Sequence, residues 1–413
     1  RTLANIIWSC LSTIFLCTWV AVHPNVHFRP EKQNQGWFEK WLRDPFHELV
    51  TYKLPLFIWA LLVPEYILSW AVRQYLQAVP GWTRMHGYFM IMGGFHLFQL
   101  PADAPSIPLP LKSSKSSDFV IPSGRHSRRD EIPMHPLMFE DIPVDILEII
   151  APTETELKDK GKSDGLTKII VLVQTLWFVI QCIARGTQHL ALTELEVVTL
   201  AYASLNFFIY LFWWDKPQNV ECPIRVYKTS TASRKGALTG GIVDEWGSET
   251  GVRWVDKIVG YTLGAQDNFV VLSKKCSVPM FWSGKIDTDL QPEAGLGPSI
   301  LGSAFGAIHC IAWSSEFSSR AELILWRISC VAMITVPFTV TLLCALAVTD
   351  RRTGLGFPIW MRFITSIAID LLALTSWLYI ASRMATLVIA FTSLRSLPPV
   401  ALMTVDWTTF IPH

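Results

Sequence analysis

Apolar runs about 20 residues long alternate with extended polar stretches along the whole chain. That is the pattern of a protein that crosses a membrane several times. Eight runs qualify as spans: Leu3–Val22, Leu54–Leu76, Trp82–Leu100, Ile169–Ala184, Val197–Trp214, Pro298–Trp313, Leu323–Val348, and one from Pro358 to about Leu397. The third is interrupted by Arg84, His86, Gly93, Gly94 and His96, and the sixth is short and glycine-rich. The eighth is roughly 60 Å long if unbroken, so it projects beyond the bilayer or bends. Pro337 predicts a kink in the seventh. The expected fold is an all-α polytopic transmembrane helix bundle of about eight spans with two sizeable cytosolic loops. Spans 1–3 fill residues 1–100, spans 4–5 residues 169–214, and spans 6–8 with a C-terminal tail residues 298–413; the loops are 101–168 and 215–297.

The second run, Leu54–Leu76, is the focal one. As a helix it is about 34 Å long, enough to cross the hydrocarbon of a bilayer. Pro64 and Glu65 sit at its midpoint. Pro64 cannot donate its backbone bond and so frees a carbonyl one turn back. A carboxylate at that depth costs on the order of 3 kcal/mol or more unless it is paired or protonated. Ser69 and Arg73 follow at i+4 and i+8, on the same helix face as Glu65.

Composition agrees with the pattern. The chain of 413 residues is 51% hydrophobic and only 17% charged, and of its 18 tryptophans Trp8, Trp82, Trp213, Trp214, Trp313 and Trp360 lie near span ends as interfacial belts do. A net charge of +1 gives no reason to expect a nucleic-acid partner. The eight cysteines are scattered, with no C-x-x-C and no zinc spacing, so neither a disulfide framework nor a structural zinc is indicated. His23 and His27 have metal-like spacing, but Pro24 between them favours a chain reversal at the membrane edge. The first span begins at Leu3, is longer than a signal-peptide core, and has no small-residue cleavage pattern.

With all eight runs crossing and the N-terminus lumenal or extracellular, the cytosolic loops hold 26 Lys and Arg and the opposite side 5. That asymmetry satisfies the positive-inside rule. Residues 101–135 read as flexible, and residues 139–168 as short amphipathic helices. The glycine-punctuated loop 215–297 reads as a small strand-bearing subdomain. Neither loop carries a nucleotide-binding glycine motif.

Candidate chemistry lies in the spans. Gln174, Gln181, Arg185 and Gln188 share a helix face, and Gly302 and Gly306 form a close-packing motif continued by His309. Asp370 is deep in the last run. Ionisable groups inside a membrane are functional by default. In the eight-span topology Glu65, Arg73, His86, Gln181, Arg185, His189 and His309 all fall at the midplane or in the non-cytosolic half. This predicts a lumen-side chamber with Glu65 and His309 as an acid–base pair. Arg73, His86, Gln181, Arg185, His189 and Asp370 are its expected substrate-binding groups. No metal motif is present.

Several stretches carry a resemblance: IIWSCLSTIFLCTWVAVHPNV, VPEYILSWAVRQYL, HGYFMIMGGF, WFVIQCIARGTQHLALTELEVVTLAYASLNFFIYLFWWDKP and the terminal DWTTFIPH. Together they resemble a family of multi-pass membrane proteins from filamentous fungi with no assigned activity. The resemblance implies a fungal source and a complete or nearly complete C-terminus, and it brings no catalytic residues with it.

Three functions follow from these expectations. The first is a membrane-embedded enzyme acting on a lipid or isoprenoid-like substrate by acid–base chemistry. The second is a transporter or channel with Glu65, His309 and Asp370 on a proton or ion path. The third is a receptor or scaffold acting through its cytosolic loops. The expected partners are membrane lipids, a hydrophobic small-molecule ligand and a second copy of the chain, in a secretory-pathway or plasma membrane. The lone midplane carboxylate and the absence of an internal repeat favour the enzyme.

Overall fold

The structure is a computed structural model and describes residues 1–28, 44–78, 83–101, 104–109, 118–124, 131–161, 165–228, 270–285, 291–353 and 359–410, with Leu42 and Gln266 besides. The chain opens with α1 (Leu3–Phe15), whose N-cap Thr2 accepts from the Asn5 amide, and which continues through a π-helical turn, Leu16–Val20. After α2 (Asp44–Glu48) and a second such turn, Leu49–Lys53, come α3 (Leu54–Leu62), α4 (Pro64–Gln77) and α5 (Arg84–Ile91). Four strands follow, β1 (Phe95–Gln99), β2 (Ser106–Pro108), β3 (Phe119–Pro122) and β4 (Ile132–Pro136). Next are α6 (Val144–Ile150), α7 (Glu154–Lys160), α8 (Gly165–Thr187), α9 (Glu194–Phe212) and β5 (Ile224–Lys228). Three long helices complete the chain: α10 (Gln291–Ile308), α11 (Arg320–Thr353) and α12 (Ile359–Thr392).

Among the described residues six helices are long and apolar enough to cross a membrane: Leu3–Val20, Gly165–Thr187, Glu194–Phe212, Ala294–Ala312, Arg320–Leu343 and Leu374–Ser396. Against the expected all-α bundle of about eight spans, six helices pass, or seven segments if the bent pair α3–α4 is one span, and a sheet is present. The predicted third span, Trp82–Leu100, is the short helix α5 followed by β1. Gly93 turns the chain between them with φ +86°, a conformation a side-chain-bearing residue rarely adopts. β1 then joins a five-stranded sheet in the order β2-β3-β5-β1-β4, parallel to β5 and antiparallel to β4. The sequence reading missed β1 because both its faces are buried, Phe95 and Leu97 in one core and His96 and Phe98 on the other side. A short apolar run of that kind looks the same on a strand and on a helix. The expected strand-bearing character of 215–297 is met at β5, whereas Leu272–Lys274 is a 3-10 turn.

The expected second span is not straight. α3 and α4 are bent by 108° at Val63, which takes φ −139° and ψ 63°. Pro64 causes the break: it has no amide hydrogen to continue α3, and its fixed φ suits the first position of a new helix. Both arms of the resulting V return to one place. At the start of the first arm the Tyr52 hydroxyl donates to the Asn25 carbonyl at 3.1 Å, and near the end of the second Gln74 Nε2 donates to Asn25 Oδ1 at 2.9 Å. Asn25 lies just beyond α1, and the Val26 amide donates to Met92 at 2.8 Å, just before β1. The V thus opens toward the sheet, with its tip at Leu62–Glu65. Each arm of about 14 residues is about 21 Å long, so with this bend the tip stands about 17 Å above the base, roughly half the thickness of a bilayer's hydrocarbon.

The base of the V is a buried polar knot. Lys216, just after α9, donates to Gln74 Oε1 at 2.8 Å and to the His23 carbonyl, with its ammonium 4.6 Å from the Trp70 ring and 4.3 Å from Trp213. Trp70 Nε1 and Gln74 Nε2 both donate to the Trp282 carbonyl at 2.8 Å. Burial among these rings pushes the Lys216 ammonium well below its usual range. At the opposite end of the helices the C-terminal segment is tied down. Arg1 pairs with Glu196, Arg185 donates to the carbonyls of Met403 at 2.8 Å and Ala401 at 3.2 Å, and Gln188 donates to that of Asp406 at 2.7 Å.

Candidate functional site

Breaking a helix leaves its last carbonyls without partners, and inside an apolar bundle each such group is costly. At the tip of the V these carbonyls are capped by side chains from two other helices. The Leu61 carbonyl accepts from the Tyr202 hydroxyl of α9, and the Leu62 carbonyl from Arg383 Nε of α12 at 3.3 Å. Arg383 is wholly buried and uses the rest of its guanidinium on neighbours. Nη2 donates to Tyr202 Oη at 2.7 Å and lies 3.5 Å from the Leu61 carbonyl. Nη1 lies 3.4 Å from His309 Nε2 and 3.7 Å from Met333 Sδ. Its Cζ sits 4.3 Å from the centre of the Phe305 ring.

His309 is also fully buried, in the 3-10 turn that ends α10. Its Nδ1 is 2.9 Å from the Phe305 carbonyl, an acceptor, so Nδ1 carries the hydrogen and Nε2 presents its lone pair to Arg383. Trp326 Nε1 donates to the His309 carbonyl at 3.2 Å and fixes the turn.

Glu65 occupies the first turn of α4, and is 8% exposed. It packs on Gly302 of α10, where an added Cβ would stand 3.2 Å from Glu65 Cγ and 3.2 Å from Pro337 Cβ. One turn on, a Cβ at Gly306 would meet the Met333 backbone at 2.7 Å, so the pair of glycines lets α10 close on α4 and α11. Both carboxylate oxygens are buried with no hydrogen-bond partner on another described residue; only the amide of Glu65 itself approaches them. The charge that reaches them is that of Arg383. The tip therefore holds one carboxyl group with no hydrogen bond from another residue beside one fully coordinated guanidinium.

The structure brings Glu65 and His309 to this cluster, each against Arg383, and spreads the other expected residues elsewhere. Arg73, two turns along α4 from Glu65, is buried with its guanidinium 5.6 Å from the centre of the Tyr66 ring. His86 is at the sheet end, with Nδ1 2.8 Å from Thr83 Oγ1 and Nε2 2.8 Å from the Pro152 carbonyl. His86 thus lies apart from Glu65, against the expected loop 101–168. Gln181 is half-buried on α8, Arg185 holds the C-terminal segment, and His189 is exposed in the turn after α8 with φ 54°. Asp370 lies on α12, and its side chain is outside the described residues.

Sequence reasoning missed Arg383 and Tyr202 as members of the site. Arg383 was visible as a lone cation in the last apolar run, the same signal that singled out Glu65. Tyr202 gave no signal, because a tyrosine in an apolar helix is ordinary. No group of three or more potential metal ligands occurs among the described residues.

The profile of a family of unknown function, DUF8562, matches residues 145–233. That stretch covers α6 to β5, including Tyr202 and Lys216, and excludes Glu65, His309 and Arg383. No curated protein and no solved structure matches the chain.

Proposed function

We propose that the chain is an integral membrane transport protein in which Glu65, at the tip of a re-entrant helical hairpin, is the proton-binding group. The single observation that carries this reading is the buried Glu65 carboxyl group, which has no hydrogen-bond partner on another described residue and stands at the break of a bent helical segment. Broken helices at mid-depth are the usual place for coupling-ion and substrate sites in membrane transporters. An unbonded buried carboxyl is costly when ionised and much less so when protonated, so its proton occupancy responds to small changes around it.

The hairpin also supports a consistent orientation. With six crossings and α3–α4 entering and leaving on one side, segments 21–53, 77–168, 213–297 and 349–357 join the helices at the sheet end. They hold 27 of the 35 Lys and Arg in the sequence, against four in the segments at the other end. By the positive-inside rule the sheet end is cytosolic. The membrane concerned is one of the secretory pathway or the plasma membrane.

The acid–base enzyme reading pairs Glu65 with His309. It is the weaker of the two, because His309 Nε2 is engaged by Arg383 and Nδ1 by the Phe305 carbonyl, leaving neither nitrogen for a substrate. The test is reconstitution in liposomes carrying an internal pH dye, challenged with fractions of a small-metabolite extract. At least one fraction is expected to trigger a protein-dependent pH change that Glu65→Gln abolishes. Silence of the unmodified protein to every fraction overturns the proposal.

A further inference from the structure

We infer that Arg383 couples the protonation of Glu65 to the shape of the hairpin tip, by choosing between two sets of acceptors. This rests on Glu65 being the proton-binding group of the preceding reading. In the structure the guanidinium serves the first set: the Leu61 and Leu62 carbonyls of the helix break, Tyr202 Oη and His309 Nε2. None of these is charged. The second acceptor is the Glu65 carboxylate, near enough to feel the charge of Arg383 and not hydrogen-bonded to it. A guanidinium held by neutral acceptors beside a carboxyl group without a bond is the arrangement expected for neutral Glu65.

When the Glu65 proton passes to bulk water, a full negative charge appears beside the guanidinium. A charge-assisted, bidentate pair is roughly twice as strong per bond as one to a neutral carbonyl. The guanidinium then turns from the break toward Glu65, and the Leu62 carbonyl loses its cap while Leu61 keeps only the Tyr202 hydroxyl. The last turn of α3 is free to reorient about Val63, already outside helical geometry.

Few other charges intervene. From α9 the group facing the pair is Tyr202, with the Cys17 thiol beyond it; from the end of α10 it is His309; from α4 itself it is Arg73, two turns away. α11 contributes Met333 and Pro337, which do not titrate. Gly302 leaves Glu65 room to move, since a side chain there would fill the space against its Cγ.

Arg383 is a positioning residue on this account, and its role shows in a pH profile. The experiment is hydrogen exchange by mass spectrometry on the full chain in lipid nanodiscs, following the peptide over residues 57–66 across a pH series corrected for intrinsic exchange. The unmodified protein is expected to show a step of at least tenfold faster exchange at this peptide as pH rises, with residues 195–205 unchanged. Glu65→Gln holds the slow limit at every pH, Arg383→Gln holds the fast limit, and Arg383→Lys keeps a step. A step that survives Glu65→Gln, or no step in the unmodified protein, overturns the coupling. Because no transport is measured, failure here is distinguishable from failure of the transport reading. Should Arg383→Gln not fold, the Glu65→Gln and Arg383→Lys profiles decide the matter alone.

Discussion

Gln74 Nε2 donates to Asn25 Oδ1 at 2.9 Å, and this one bond closes the second arm of the hairpin onto the chain that leaves α1. Tyr52, on the first arm, donates to the carbonyl of the same Asn25. Two arms that meet one residue cannot end on opposite faces of a bilayer. Cysteines placed at Lys53 and Gln77 are therefore expected to react with a membrane-impermeant maleimide from the same side, the side from which the exposed Cys222 and Cys276 react. A cysteine at Ser319 is expected to react from the other. Labelling of positions 53 and 77 from opposite sides contradicts the hairpin.

Gly302 stands where α10 touches Glu65. A Cβ there would come within 3.2 Å of both Glu65 Cγ and Pro337 Cβ, tighter than ordinary van der Waals contact. Gly302→Val is expected to lower stability by about 1–3 kcal/mol through overpacking, read as a fall in the detergent melting temperature. Gly297, where an added Cβ would meet nothing within 4 Å, is the control and is expected to tolerate alanine.

Arg383 buries a full charge and caps a broken helix. Removing it as Arg383→Met leaves the Leu62 carbonyl without its donor and Glu65 without its cation, a loss on the order of 3–5 kcal/mol. Arg327→Met, at an arginine whose bonds to the Trp313 carbonyl are exposed, is expected to cost under about 1 kcal/mol. Equal melting temperatures for the two variants contradict the capping role.

His96 links the sheet to pH. It is 1% exposed between Phe28 and Phe98, and burial pushes its imidazole down to about 3, with the charges of His135 and Arg225 acting the same way. The folded sheet therefore holds His96 neutral, while the unfolded chain takes up a proton below about 6.5. Stability from this group is complete above that pH and is lost progressively as pH falls toward 3. At pH 5 the loss is about 2 kcal/mol. Amide exchange in Phe95–Gln99 and Ile224–Lys228, corrected for the intrinsic rate at each pH, is expected to quicken between pH 7 and pH 5, and to lose this dependence in His96→Gln.

The sequence carried some of this architecture and hid the rest, for physical reasons. Long uninterrupted runs such as Gly165–Thr187 and Glu194–Phe212 declare themselves by composition alone. Glu65 was legible as a charge where none belongs, and Pro64 as a break beside it. The direction of the chain after Pro64 was not legible, since a proline that kinks a span and one that turns it back have the same local sequence. Only the contacts of Asn25, more than 25 residues upstream of either arm's end, decide between them. β1 was lost because a strand buried on both faces lacks alternation. Arg383 was visible as a buried cation, but its partners come from positions 61, 62, 202 and 309, and no local pattern connects them.

The proposed role of Glu65 as the proton-binding group of a transport protein is tested by pH-dye liposomes containing the unmodified protein or Glu65→Gln at equal, folded incorporation. The account predicts a metabolite-triggered pH change with the first and at least a tenfold smaller one with the second. An equal response from both contradicts it.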